Sequence, residues 1–224
     1  MSDKDYFDRA YNFSIFDKIS IFARRQIFKV FIKNIKPLSH EKIIDIGVFG
    51  GSQDPSMNFL EQFYQYPKNI TAIGVEDAVF LERQYPGLKF VKILPNQPLP
   101  FDNDEFDIGF SNAVIEHVGS IKNQKYFLEE AIRICHRLFI TTPNRFYPVE
   151  FHTRLPVLHW LPQPFFRKIL KIMKLEFYSK EENLNLLGKK QLLDLIPLQY
   201  RKKTKLLSYR FFGLVSNWIL IVQK

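Results

Sequence analysis

The segment KIIDIGVFGGS, residues 42–52, decides how this chain is read. Residues 42–46 form a short run with three isoleucines, which suits a buried strand. Gly47, Gly50 and Gly51 follow, where the backbone must turn sharply and a ligand can lie against the main chain. Asp45 stands near the carboxyl end of this strand, where open α/β sheets bind their ligands. TAIGV at residues 71–75 reads as a second strand, and it runs into Glu76 and Asp77. An acid at that point can accept hydrogen bonds from both hydroxyls of a ribose, with Glu76 the better placed and Asp77 its neighbour.

Outward from these two strands the pattern repeats. Residues 54–66 and 78–85 read as helices, and residues 89–94, 106–111 and 138–142 as further strands. Residues 124–133 read as another helix, and Pro143 stops the fifth strand. Before the first strand, residues 14–33 place Phe16, Ile19, Ala23, Ile27, Val30 and Phe31 at spacings of three and four. This is an amphipathic helix that ends before Pro37. After residue 143 the order breaks into an irregular excursion over 144–163, rich in proline and aromatic residues. Helices at 165–175 and 189–196 follow, then strands at 205–211 and 217–222 around Gly213. So short a link permits only antiparallel pairing. The expected fold is α/β and Rossmann-like: a seven-stranded, mostly parallel sheet with helices on both faces and a C-terminal antiparallel hairpin. A single domain spans residues 1–224, with 1–37 as a helical extension and 144–200 as an inserted substrate or lid region.

Composition bounds the rest. With 46% hydrophobic and 16% aromatic residues, 23 of them Phe, the chain can build a full core. The one cysteine, Cys135, excludes a disulfide framework and reads as a small core residue in a helical run. The first residues are charged and polar, and no apolar run approaches the roughly 20 residues a bilayer requires. A soluble, cytoplasmic protein is expected. Residues 1–150 hold 18 Lys/Arg against 19 Asp/Glu, and residues 151–224 hold 14 against 4, so the net +9 belongs to the last third. That excess suits an anionic partner: a phosphate-bearing substrate, a membrane surface or a nucleic acid. The helix at 165–175, with Phe165, Phe166, Ile169, Leu170 and Met173 on one face and lysines on another, fits peripheral membrane contact or a cap on the sheet.

The order of elements and these motifs resemble the class I S-adenosylmethionine-dependent methyltransferases. The resemblance covers about residues 42–222. It is strongest to the type 11-like branch, through LPFDNDEFD at 99–107 and SNAVIEHV at 111–118. The segment ITTPNRFYPVEFHTRLPVLHWLP at 140–162 looks like a bacterial subgroup of which some members sit with surface-polysaccharide genes. The resemblance implies S-adenosyl-L-methionine as cofactor, held by Asp45, Gly47, Val48, Phe49, Gly51, Glu76, Asp77, Asn96, Ser111 and Asn112. Phe49 stands where the family loop has its middle glycine, Gly50 is extra, and Asn96 replaces an acid after the third strand.

Methyl transfer from a sulfonium needs an aligned acceptor in a site that excludes water, and a hydroxyl acceptor also needs a base. Glu116, His117 and His152 are the candidates, and each also has a structural reading: a helix cap for the first pair, a backbone hydrogen bond for His152. His159 beside Trp160 reads as packing. No His/Cys/Asp spacing signals a metal. The function implied is methylation of a small-molecule, sugar or lipid-linked acceptor, in surface-polysaccharide biosynthesis. The alternatives are an RNA methyltransferase, which no RNA-binding motif supports, or a non-catalytic binding protein with this fold.

Overall fold

The computed structural model describes residues 15–50 and 57–224. Gly51 and the expected helix start at Asp54 lie outside them. Among the described residues fourteen α-helices and strands run in chain order, beginning with α1 (Ile15–Ile35), β1 (Ile43–Ile46), α2 (Phe59–Phe63), β2 (Ile70–Gly74) and α3 (Phe80–Gln84). Next come β3 (Lys89–Lys92), β4 (Phe106–Asn112), α4 (Ile121–Ile134) and β5 (Cys135–Pro143). The chain closes with α5 (Gln163–Ile172), α6 (Glu176–Ser179), α7 (Lys189–Asp194), β6 (Thr204–Phe211) and β7 (Leu214–Gln223).

The seven strands form one sheet in the order β3-β2-β1-β4-β5-β7-β6. Strands β1 to β5 pair in parallel, and β7 enters antiparallel between β5 and β6. Alternating side chains on each strand feed two cores. Ile43, Ile108, Phe110, Phe139 and Ile221 meet α1, α2 and α3 on one face. Ile44, Ile46, Ile73, Leu138 and Leu220 meet α4 and α7 on the other. The abundant Phe is spent largely on the first face. Phe31 of α1 packs edge-on against Phe110 at 5.1 Å and Phe139 at 5.3 Å, and those two rings stack on each other. Helix α1 is therefore a layer of the domain rather than an appendage.

Several boundaries differ from those expected. Cys135 is the first residue of β5, not part of a helix, although it is buried as a core residue should be. Apolar periodicity runs unbroken through AIRICHRL, so no polar or glycine signal marks where α4 becomes strand. Helix α4 starts at Ile121, three residues early, because the Ser120 hydroxyl caps the Asn123 N–H. Helix α5 starts behind Pro162 with a proline in its first turn and ends at Ile172. Its expected apolar stripe splits: Phe166 and Leu170 are buried and Ile169 half-buried, while Phe165 and Met173 are exposed, as is Ile172 outside the stripe.

The excursion after β5 packs on itself. Phe166, Leu170, Tyr178, Leu184 and Leu186 make a small core of their own. It is also stitched to the sheet, through a bridge between Asn144 and Leu187 and through Asn185 N–H donating to Glu116 O at 2.7 Å. Among the described residues no helix is long and apolar enough to cross a membrane.

Candidate active site

The sheet reverses its strand order between β1 and β4, so a crevice opens at the carboxyl ends of these strands. Gly47 leaves β1 with φ +99°, and a Cβ there would lie 2.5 Å from the Val114 side chain. Only glycine meets both conditions. The Gly47 and Val48 N–H groups donate to Ile73 O of β2, at 2.8 and 3.0 Å. Asn58 then clamps the loop: its Oδ1 accepts from Phe49 N–H at 2.8 Å and its amide donates to Phe49 O at 2.9 Å. Gly50 rests on the end of β2, where its N–H donates to Glu76 Oε2 at 3.3 Å. A Cβ on Gly50 would meet Asp77 O at 2.4 Å.

The expected cofactor residues thus fall into groups. Gly47, Val48, Phe49 and Glu76 converge at this crevice, and Gly50 joins them. Asp77 uses Oδ1 to accept from Val79 N–H at the start of α3. Asn96 is exposed in the turn after β3 with φ +57°. Ser111 is fully buried, and its hydroxyl donates to Ile46 O at 2.8 Å, tying β4 to β1. Asn112 ends β4 and accepts from the Thr141 hydroxyl. Asp45 is buried against Glu61 of α2, a residue that the reading of strands and loops passed over. Burial first, then the Glu61 carboxylate, pushes the Asp45 carboxyl well above the usual range. Burial pushes Glu61 up to about 7.

Exposed apolar side chains stand at this end of the sheet: Val75 next to Glu76, Val79 at the start of α3, and Leu94 after β3, where Ile93 N–H donates to Gly74 O at 2.9 Å. Glu76 itself is exposed, and among the described residues only its Oε2 is engaged. A carboxylate with spare acceptor capacity, bordered by apolar surface and a glycine loop, fits an adenosine: hydroxyls on the acid and a purine face on the valines and leucine.

The second half of the site lies at the ends of β4 and β5. A tight turn, Ile115–His117, buries Glu116 completely, and Glu116 Oε2 accepts from the Thr142 hydroxyl at 3.0 Å. Glu116 Oε1 lies 4.0 Å from His117 Nε2 and has no hydrogen-bond partner among the described residues. His117 Nδ1 donates to Asn183 O at 2.6 Å, and its Nε2 faces His152 Nε2 at 3.0 Å. His152 Nδ1 in turn donates to Glu150 Oε1 at 2.6 Å. All three expected catalytic candidates therefore come together, across 35 residues of sequence.

Their protonation follows from these surroundings. Burial, then the charge of His152, holds His117 down at about 4. Burial works against a charged His152, but the Glu150 carboxylate outweighs it and raises that imidazole. Glu150 is held at about 2, because His152 and the Thr153 N–H overcome the cost of its burial. Burial raises Glu116 to about 7 despite His152. Glu150 and Asn183 give little sequence signal, since an acid two residues before a histidine and an asparagine in a loop are unremarkable alone. His159 is buried in the excursion, where its Nε2 donates to Tyr147 O at 2.7 Å and its Nδ1 has no partner among the described residues.

No protein-family model matches the sequence, and no curated protein does. Solved structures do. A protein from Pyrococcus horikoshii aligns over 99% of this chain and 99% of its own, with TM-score 0.60 and 13% identity. A SAM-dependent methyltransferase from Methanosarcina mazei aligns over 86% of this chain and 96% of its own, with TM-score 0.53 and 16% identity. A SAM-dependent methyltransferase from Aquifex aeolicus covers 99% and 98%, with TM-score 0.52 and 13% identity. The fold is that of the class I S-adenosylmethionine-dependent methyltransferases. Within that fold the glycine loop follows β1, the antiparallel β7 pairs with β5, and the excursion after β5 lies beside Glu116 and His117.

Proposed function

We propose that the chain is an S-adenosyl-L-methionine-dependent methyltransferase acting on an oxygen-bearing small molecule, sugar or lipid-linked acceptor. The observation that carries this reading is Glu76, exposed after β2 with Gly50 N–H on one oxygen, and with Val75, Val79 and Leu94 exposed at the same end of the sheet. Glu76 would hold the ribose hydroxyls, those three side chains the adenine, and the loop from Gly47 to Gly50 the remainder. When bound, the cofactor supplies a methyl group already activated on a sulfonium.

The chain's own residues then position the acceptor and exclude water, an effect that accounts for roughly 7–11 kcal/mol of barrier in well-aligned reactions. Val114, against Gly47, links the cofactor crevice to the turn carrying Glu116 and His117. The excursion brings His152 over the same place, so these three side chains form the acceptor end. The basic last third supports an acceptor bearing phosphate, as sugar nucleotides and lipid-linked sugars do. Exposed Phe165, Ile172 and Met173 beside Lys168, Lys171 and Lys174 on and after α5 support a lipid-linked one.

Incubation with methyl-labelled cofactor and a panel of sugar nucleotides, glycolipids and RNA tests the proposal. Label in a sugar-bearing acceptor is expected, and label in RNA alone would replace the acceptor class. No heat on titrating cofactor into the folded protein would favour a non-catalytic binding role.

A further inference from the structure

The hydrogen bonds at the acceptor end leave a specific deficit. A carbonyl oxygen only accepts, so His117 Nδ1, 2.6 Å from Asn183 O, carries the ring proton. Glu150 Oε1 accepts from the His152 backbone N–H at 3.0 Å and its ring Nδ1 at 2.6 Å, and Oε2 accepts from Thr153 N–H. His152 therefore also carries its proton on Nδ1. In their neutral forms both Nε2 atoms then present lone pairs to each other, 3.0 Å apart. Beside them Glu116 Oε1 is buried, without a hydrogen-bond partner among the described residues, and 4.0 Å from His117 Nε2. One shared proton would reconcile the two nitrogens, but it would leave the buried oxygen orphaned, at the cost such groups carry. A cation between the two nitrogens answers both of their lone pairs and sets a positive charge beside the orphaned oxygen.

We propose that Glu116 Oε1, His117 Nε2 and His152 Nε2 form a binding site for a divalent transition-metal cation. The three ligand atoms lie within 4.8 Å of one another. Two nitrogens each about 2.1 Å from one ion subtend roughly 90° when they are 3.0 Å apart, the cis angle of a six-coordinate ion rather than a tetrahedral one. Two imidazoles and one carboxylate, with other positions open, suit Mn2+, Fe2+ or Co2+. The outer shell is also of the right kind, since metal-bound histidines commonly donate their second N–H to a carboxylate or a backbone carbonyl. Here Glu150 and Asn183 take those two places. The His117 side chain is 33% exposed and the His152 side chain 21%, so an ion and an acceptor oxygen can reach the nitrogens. The open positions would take oxygens of the acceptor. That role rests on the methyltransferase reading; the binding site does not.

Titration of the full-length protein, stripped with chelator, with Co2+ alone tests the site. We expect one equivalent per chain, with weak visible bands of a six-coordinate ion. Binding should vanish in His152→Ala and His117→Ala, and fall about 10- to 100-fold in Glu150→Gln, which keeps every ligand but alters what orients His152. As a readout that needs no variant, one equivalent of Mn2+ should broaden the ring-proton resonances of His117 and His152 before those of His40, His136 and His159. Binding that survives both alanine substitutions, broadening that begins at His136, or no binding at all would overturn the site. Demethylated cofactor titrated in parallel separates the two readings. Heat with cofactor but none with Co2+ removes the metal alone, and the reverse removes the methyltransferase reading alone.

Discussion

Glu150 holds His152 at two atoms, the ring Nδ1 at 2.6 Å and the backbone N–H at 3.0 Å, from a carboxylate that is itself almost fully buried. Its other oxygen takes the Thr153 N–H. Glu150→Ala strands these donors inside the excursion. It should destabilise the protein by about 3 kcal/mol in urea unfolding, given roughly 1–3 kcal/mol for each buried donor left without an acceptor and partial rescue by water. Glu150→Gln, which keeps an acceptor oxygen, should cost less than half as much.

Gly47 is required twice over, by its φ of +99° and by the Val114 methyls 2.5 Å from where a Cβ would stand. Gly47→Ala should lower stability by about 2–4 kcal/mol, the sum of left-handed strain and overpacking. Adding Val114→Ala relieves only the second part. The double variant should therefore recover some of the melting temperature lost by the single one, but not all of it. Full recovery would mean that the backbone at Gly47 tolerates a side chain.

Glu76 separates binding from folding. Its carboxylate is exposed and, among the described residues, makes a single 3.3 Å contact with Gly50 N–H, so Glu76→Ala should change stability by about 0.5 kcal/mol or less. Affinity for demethylated cofactor, measured by calorimetry, should fall about 10- to 100-fold, as expected for losing hydrogen bonds to a charged group worth roughly 1.5–3 kcal/mol. An unchanged affinity would take the nucleoside away from this end of the sheet.

Asp45 and Glu61 predict a pH dependence with a definite sign. Glu61 titrates at about 7 in the folded chain against 4.5 as an ordinary carboxyl, and Asp45 is displaced in the same direction. An acid whose folded pKa is raised binds its proton more tightly in the native state. Its contribution is complete below the unfolded pKa and is lost as pH rises through the folded one. The ligand-free protein should therefore lose stability between about pH 4.5 and pH 7 on this account. Glu61→Gln should reduce that slope and leave the variant more stable than the parent at pH 8, by on the order of 1 kcal/mol or more. Glu116, also raised to about 7, keeps part of the slope in place.

What could be read from the chain, and what could not, divides along physical lines. Strands β1 to β5 are local apolar runs closed by turn residues, so their order and parallel pairing were legible from residues 42–142. Gly213 and the two runs around it gave the antiparallel end. The places of Gly47 after β1 and Glu76 after β2 were legible too, because backbone geometry at the mouth of a parallel sheet restricts which residues can stand there. The start of β5 at Cys135 was not, since helix and strand meet there without a break in apolarity. Asp45 shows the same limit differently: its position on β1 was clear, but its burial against Glu61 depends on how α2 packs. The pairing of His117 with His152 is a tertiary fact. Both histidines could be singled out as bases, but a distance of 3.0 Å between atoms 35 residues apart follows only from the docking of the excursion.

The insertion of β7 between β5 and β6 sets an order of assembly. During synthesis β5 emerges with its outer edge unpaired, and β6 has no neighbour to join until the residues from Leu214 onward leave the ribosome. Until then Asn144, at the root of the excursion, lacks the Ser216, Val215 and Trp218 groups it bonds in the finished fold. An exposed strand edge of this kind is a template for pairing with other chains, so the waiting interval is when the protein is most prone to aggregate. The root of the excursion that carries His152 is thus completed only once β7 is in place.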